Sequence, residues 1–297
     1  MTDGTKPPKH TTSDIDMILL SKLKGVYNPK EVSMPPPALP ASTETLLGHT
    51  ISNLGASEFT TALVHWLTSQ IDIDNTTMLA FFKDRPPEVF QSQAQNRRVH
   101  EKLDSHYVKG AYLLDPFHQL HLDQAPAGLY HLQNIAPDKF SRHEYFATYY
   151  QRTTLIDELA FIASPSPGVT VTVCLGRDAT SGRKFSWRDI HNAQNIAPIA
   201  VALITQHWAP LQSGPTSTEI SVSDRLRDNV AAQLSITLSP RQAEVAFLIL
   251  KGHSSNSIGL TLGISAETVK VFRKQLYKKC QISSQAELFS MLLPLLG

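Results

Sequence analysis

The stretch Leu238–Leu288, LSPRQAEVAFLILKGHSSNSIGLTLGISAETVKVFRKQLYKKCQISSQAEL, contains the start and stop signals of several short helices. Ser239 suits an N-cap and Pro240 a first helical position, and Gln242 completes an S-x-x-Q capping box. Further boundaries are expected at Gly252, Ser254 or Ser255, Gly263, Ser265, and Ser283 or Ser284. The stretch therefore predicts four consecutive helices, with a tight glycine turn between the second and the third.

The third of these helices has two chemically distinct faces. Apolar residues at helical spacing would face the core: Val269, Phe272, Leu276 and Cys280. The opposite face carries Lys270, Val271, Lys274 and Lys278. Two helices joined by a short turn, the second with a basic outer face, are typical of a helix-turn-helix that enters the major groove of DNA. A solvated basic face is the alternative interpretation, and the order and caps of the four helices favour DNA binding over it.

Charge is distributed unevenly along the 297 residues. Residues 236–297 carry seven basic and three acidic side chains, whereas the rest of the chain carries 20 basic and 23 acidic ones. A basic segment at one end of a mildly acidic chain agrees with a nucleic-acid module attached to another domain.

The quoted stretch resembles the LuxR/FixJ-type helix-turn-helix, through LSPR-x-x-E-V, Lys251-Gly252, LGIS, Thr268-Val269-Lys270 and ISS-x-AE. The resemblance places Lys270, Val271 and Lys274 at base edges and Thr268, Arg273 and Lys278 at phosphates. It also implies that the fourth helix, around 286–293, forms a dimer contact on DNA. Phe272, Cys280 and Asn256-Ser257 depart from the family's usual residues, which leaves the phosphate contacts open.

The rest of the chain predicts an α+β protein with a second globular domain. Residues 1–41 are polar and Pro-rich and are expected to be disordered, apart from a short helix over 14–23. Residues 42–210 are expected to form an α/β sandwich of the PAS/GAF-like sensor type, 211–235 a linker with a helix over 222–234, and 236–297 the helix-turn-helix domain.

Within 42–210 the patterns predict helices around 46–67, a buried strand over 77–82, and helical segments over 97–108 and 142–150. Residues 155–163 and 169–175 are apolar and joined by SPSPG, which predicts a hairpin. A long helix over 186–208 should bury one apolar face, formed by Ile190, Ile196, Ile199, Ala200, Leu203 and Ile204.

The segment YVKGAYLLDPF, Tyr107–Phe117, is similar to the aromatic stretch of LuxR-type ligand-binding domains that ends in Asp-Pro. In acyl-homoserine-lactone receptors, that aspartate accepts a ligand amide proton. The paired tryptophans of that group are not evident here, so another small molecule is expected, such as a cationic or amide-bearing one. The candidate ligand-binding residues are Tyr107, Tyr112, Asp115, Phe117, Tyr130 and Tyr150. Core packing for the aromatic residues and turn initiation for Asp115-Pro116 are the alternatives.

The sequence lacks the motifs of common enzyme classes, of zinc sites and of receiver domains. No nucleophile elbow, Walker loop, dinucleotide fingerprint or metalloprotease motif occurs, so no catalytic residues, no cofactor and no enzyme activity are expected. Cys174 and Cys280 stand far apart and form no zinc or disulfide pattern. His118 and His121 could approach a metal together, but surface histidines without a metal are the favoured interpretation. The order of elements also disagrees with a phosphorylated receiver domain.

Together these features predict a one-component transcription regulator, controlled by a small molecule bound to its N-terminal domain. The expected partners are double-stranded DNA, the effector and a second copy of the chain, with RNA polymerase as a further candidate. Without a signal peptide or a long apolar run, a cytoplasmic location is expected and no membrane contact. Control by a protein partner and an enzyme with an appended DNA-binding module are the two rival hypotheses.

Overall fold

The computed structural model describes residues 1, 41–138, 140, 153–214 and 221–296. The chain divides into two units, 1–44 and 45–297. The helices predicted over 14–23 and 142–150 lie outside the described residues.

The second unit begins within a helix and continues through a sheet to a helical C-terminal part. The helices are α1 (Ala41–Ser52), α2 (Phe59–Gln70), α3 (Pro116–Leu122), α4 (Leu132–Ile135), α5 (Trp187–His207), α6 (Val222–Leu234), α7 (Pro240–Leu250), α8 (Ser255–Leu262), α9 (Ala266–Cys280) and α10 (Gln285–Leu292). The strands are β1 (Asn75–Phe82), β2 (Glu88–Ala94), β3 (Gly128–His131), β4 (Leu155–Ser166) and β5 (Val169–Asp178).

The five strands of the described residues form one antiparallel sheet in the order β2-β1-β5-β4-β3. The β4–β5 hairpin turns at Gly168, whose φ of +74° is a backbone conformation that glycine adopts readily. β5 lies between β1 and β4, so it is shielded on both edges, and its residues are buried along their whole length. This central hairpin confirms the strand pair that the apolar β-branched residues predicted.

Side chains along β1 alternate between the two faces of the sheet, and the core accordingly has two layers. Met78, Ala80 and Phe82 pack with α2 and α5 on one face of the sheet. Leu79 and Phe81 point to the other face, where they pack with residues of the segment 103–117. This second layer continues without a break into the C-terminal helices, because Leu226 of α6 and Val245 of α7 belong to the same buried cluster.

Most helices predicted from periodicity and caps are confirmed, including α6 and the four C-terminal ones. The segment 97–108 is only partly regular, with a 3-10 turn at Arg97–His100 and a π-helical turn at Leu103–Tyr107. In α5 the predicted buried face is wrong at Ile199, which is 40% exposed because it falls outside the stripe that contacts the sheet. β3 was not predicted, since four residues give too short a pattern.

Candidate functional site

Local caps fix the framework of α7, α8 and α9. Ser239 and Gln242 form the predicted capping box at the start of α7. The Ser254 hydroxyl accepts from the Ser257 amide at 3.1 Å, and the Ser265 hydroxyl accepts from the Thr268 amide at 3.0 Å. Each bond satisfies an amide that the first helical turn leaves without a partner.

The turn between α8 and α9 depends on two glycines. Gly263 ends α8 in the left-handed region with φ +66°, where a side chain would add strain. Gly259 faces the turn so closely that a Cβ there would lie 2.7 Å from the Ile264 carbonyl oxygen. These glycines set the distance and angle between the two helices of the helix-turn-helix.

The predicted base-reading residues lie together on the exposed face of α9. Lys270, Val271 and Lys274 are exposed, and Val271 retains 54% of its accessible surface. The Lys270 ammonium lies 2.6 Å from a Glu267 carboxylate oxygen, in an exposed pair that DNA phosphates could displace. Val269, Leu276 and Cys280 face the core on the opposite side, as their spacing predicted.

The predicted phosphate contacts have different surroundings. Lys278 is exposed, and the Thr268 hydroxyl lies 2.8 Å from that of Ser265. Arg273 is half-buried and donates to the Gln285 side-chain oxygen at 3.0 Å, which ties α9 to α10. Lys279, which sequence reasoning did not select, donates to the Thr237 carbonyl at 2.8 Å and so braces the start of α7.

In the N-terminal part, Tyr107 and Asp115 form a buried polar pair. The Tyr107 hydroxyl donates to one Asp115 carboxylate oxygen at 2.5 Å, and the Phe117 amide donates to the other at 2.8 Å. The second bond makes Asp115 the N-cap of α3, so Asp115-Pro116 begins a helix, whereas the alternative interpretation expected a turn there. Burial raises the pKa of Asp115 to about 6 despite these donors.

A cavity of about 40 Å³ lies beside this pair. It is bounded by Asn75, Thr77, Leu79, Val99, His100, Leu103, Tyr107, Asp115, Leu155, Glu158 and Cys174. This space suffices for three or four water molecules at about 10–15 Å³ each, so a larger occupant requires the surrounding side chains to move.

The other candidate ligand residues that the structure describes are not among those that bound this cavity. Tyr112 is half-buried, with its ring centroid 6.4 Å from that of Tyr107, and it lines a separate, larger cleft. Phe117 lies in the first turn of α3 and is buried in the core. Tyr130 lies on β3 and donates to the Pro126 carbonyl at 2.7 Å, while Tyr150 lies outside the described residues.

Residues of the helix-turn-helix contact the N-terminal part directly. The Lys251 ammonium, at the end of α7, donates to the Gln119 side-chain oxygen on α3. The Ser254 amide donates to an Asp138 carboxylate oxygen at 3.1 Å, at the start of α8. Lys251 is only 6% exposed, and burial lowers the pKa of its ammonium to about 8. Sequence reasoning assigned Lys251 only to a helix end, because nothing local indicates a partner 132 residues away.

The interpretation of His118 and His121 as surface residues is wrong. Both are buried on α3 beneath the sheet, where the His121 Nδ1 lies 2.8 Å from the Thr170 hydroxyl. Burial lowers the pKa of both imidazoles, that of His121 to about 4. Among the described residues, no group of three or more His, Cys, Asp or Glu is arranged to hold a metal ion.

Comparisons with known proteins agree with the C-terminal site. Residues 236–292 match the family model described as bacterial regulatory proteins, luxR family. An HTH-type transcriptional regulator of Aeromonas salmonicida is 31% identical over 185 residues, which cover 60% of this chain and 93% of the relative.

A search of the described helices for a membrane-spanning segment finds none with the necessary length and hydropathy.

The N-terminal part has a known fold. The LBD domain of VqsR from Pseudomonas aeruginosa is 23% identical, with a TM-score of 0.50, and the match covers 58% of this chain and 100% of that one. Escherichia coli SdiA is 15% identical with a TM-score of 0.41, over 86% of this chain and 98% of that chain. The chain belongs to the luxR family of bacterial regulatory proteins and is a DNA-binding transcription regulator with a C-terminal helix-turn-helix.

Proposed function

We propose that this regulator responds to a small molecule that binds between the sheet and the segment 103–115, next to Tyr107 and Asp115. The observation that carries the proposal is a carboxyl group buried beside a cavity while its pKa is raised to about 6. Carboxyl groups with a perturbed pKa beside a cavity are frequent at binding sites. Burying a carboxylate is costly unless a partner, such as a ligand, pairs with its charge.

The cavity indicates the chemistry of this effector. Two carboxyl groups, Asp115 and Glu158, line it, and its described lining contains neither lysine nor arginine. An effector with an amide or ammonium N–H would donate to Asp115 and lower the pKa of that carboxyl toward its ordinary range. Leu79, Val99, Leu103 and Leu155 would pack against an apolar portion of the same molecule.

The helix α3 connects this cavity to the DNA-binding domain. Asp115 caps its N-terminus, and Gln119, one turn later, accepts from Lys251 at the end of α7 in the DNA-binding domain. An effector that displaces Asp115 would move the start of α3 and change the Gln119–Lys251 contact. We infer that the effector acts by binding one arrangement of the two parts better than another.

The proposal also includes the residues that contact DNA and the proteins that assemble on it. The base contacts are assigned to Lys270, Val271 and Lys274, and the phosphate contacts to Thr268, Arg273 and Lys278. Because half-site readers commonly act in pairs, we propose a homodimer on DNA with the outer side of α10 at the contact. A regulator acting as an activator would also contact RNA polymerase.

A thermal-shift screen of the full chain against amide- and amine-bearing metabolites tests small-molecule control. At least one compound should raise the melting temperature in a concentration-dependent way, and Asp115→Asn should weaken its binding. Asp104→Asn, at an exposed aspartate on the same segment, serves as the matched control and should bind as wild type does. If no metabolite stabilises the wild type while a protein partner does, control by a protein replaces the proposal.

A further inference from the structure

A second, larger cleft lies apart from the Tyr107–Asp115 cavity, and the two share no lining residue. Its volume is about 1440 Å³, enough for an organic molecule of considerable size. One wall is formed by the ends of β1 and β5 and by α3. The other is formed by Val222 and Arg225 of α6 together with Leu296 near the end of the chain.

The charges along this cleft are mostly positive. Four basic side chains line it, Lys83, Arg85, Lys109 and Arg225, against a single described carboxylate, Asp84. That carboxylate is already engaged, since the Ser213 hydroxyl donates to it at 2.6 Å and the Gly214 amide at 2.8 Å. Lys109 and Arg225 are exposed at the rim. The cleft therefore favours an anion, in contrast to the carboxyl-lined cavity beside Tyr107.

The interior of the cleft combines apolar side chains with two buried imidazoles, those of His118 and His121. Phe82, Leu113, Val169 and Val222 are among the lining residues, and Leu122 lies at the edge with 48% exposure. His118 also lines the cleft and is 4% exposed, and its Nδ1 has no hydrogen-bond partner among the described residues. A buried imidazole nitrogen without a partner is costly unless a ligand or a bound water reaches it.

We propose that this cleft is a binding site for an organic anion with an apolar body, such as a medium-chain carboxylate. Lys109 and Arg225 bind the anionic group, and the apolar chain packs along Val222, Leu113 and Val169. An occupant contacts the sheet on one wall of the cleft and α6 on the other. Since α6 packs against α7, the occupant also adjoins the DNA-binding domain. This site does not depend on the effector site proposed above.

Isothermal titration of the full chain with decanoate, below its micelle-forming concentration, tests the proposal. Wild type should bind decanoate, and the double variant Lys109→Gln/Arg225→Gln should bind it at least about tenfold more weakly, since each loses a charged contact. Lys184→Gln, at an exposed lysine outside the cleft lining, is the matched control and should leave the affinity unchanged. Raising the salt concentration should weaken decanoate binding, because screening acts on exposed charges.

Two further measurements locate the ligand. Leu122→Trp should obstruct the cleft from its exposed edge and reduce decanoate binding, while Asp115→Asn should retain it. The neutral analogue 1-decanol should bind more weakly than decanoate. Absence of binding by hexanoate, decanoate and dodecanoate would overturn the proposal, as would equal affinities for the wild type and the double variant or for decanoate and decanol.

Discussion

The exposed lysines of α9 should each contribute to DNA affinity through a separate contact. We expect Lys274→Ala to weaken binding to a selected cognate site by about 1–3 kcal/mol, the range for a lost base contact. Gel-shift titration measures the change, with Lys184→Ala as the control because that lysine is exposed and lies before α5. An unaltered affinity of the Lys274→Ala variant would remove this lysine from the interface.

The buried carboxyl of Asp115 makes stability depend on pH. Its raised pKa means that, between about pH 4 and pH 6, the folded state holds a proton that the unfolded state has released. The contribution of Asp115 to the free energy of unfolding therefore falls as the pH rises through this window, by at most about 3 kcal/mol for a shift of this size. The lowered pKa values of His118 and His121 act in the opposite direction.

Asp115→Asn should remove this contribution, because an amide does not titrate and its oxygen can still accept from the Phe117 amide. The stability of the variant relative to the wild type should therefore rise with pH across this window. Urea unfolding across this pH window measures the slope for wild type and variant. Asp104→Asn should keep the wild-type slope. Parallel profiles for wild type and Asp115→Asn would show that the carboxyl titrates normally in the folded protein.

The α8–α9 turn is sensitive to a single added methyl group at Gly259. Gly259→Ala places a Cβ 2.7 Å from a backbone oxygen that cannot move without shifting α9. We expect a loss of about 1–3 kcal/mol in stability, together with weaker DNA binding.

Gly48→Ala provides the matched control within α1, because a Cβ there meets nothing within 4 Å. That substitution should be neutral or stabilise by up to about 1 kcal/mol, since alanine has the higher helix propensity. Chemical denaturation distinguishes the two. A Gly259→Ala variant as stable as Gly48→Ala would contradict the close approach of α8 to the turn.

At the scale of elements, sequence reasoning succeeded where the signals are local. Ser239, Gln242, Gly263 and Ser265 determine helix ends through neighbours a few residues away, so the C-terminal helices could be predicted. The strand β3 could not be predicted in this way. It forms by pairing with β4, which lies about 30 residues later, and no local pattern specifies that partner.

At the scale of the whole molecule, the contact between Lys251 and Gln119 should couple the two parts of the chain. A double-mutant cycle with Lys251→Met and Gln119→Leu should give an interaction energy of about 0.5–3 kcal/mol, because the two side chains contact each other directly. Urea unfolding of the four proteins measures it. The cycle of Gln119→Leu with Lys184→Met should be additive, and additivity in both cycles would show that the junction carries no coupling.

Nonlocal packing also limited prediction of the sites. The lysine face of α9 follows from a helical period, and the structure places it on the surface as expected. The burial of His118 and His121, the junction at Lys251 and the basic cleft arise from segments far apart in sequence. Neither composition nor spacing brings such residues together, so they emerge only from the folded chain.

The salt dependence of DNA binding by the full chain tests most directly whether α9 binds DNA. Affinity for a duplex obtained by selection from random sequences should fall steeply and linearly on a log–log plot as salt rises, because lysines displace counterions from phosphates. Lys278→Ala should reduce the slope by about 1 without changing the preferred sequence. A folded protein that binds no selected duplex at low salt, or whose affinity is independent of salt, would contradict the assignment of α9 as the DNA-reading helix.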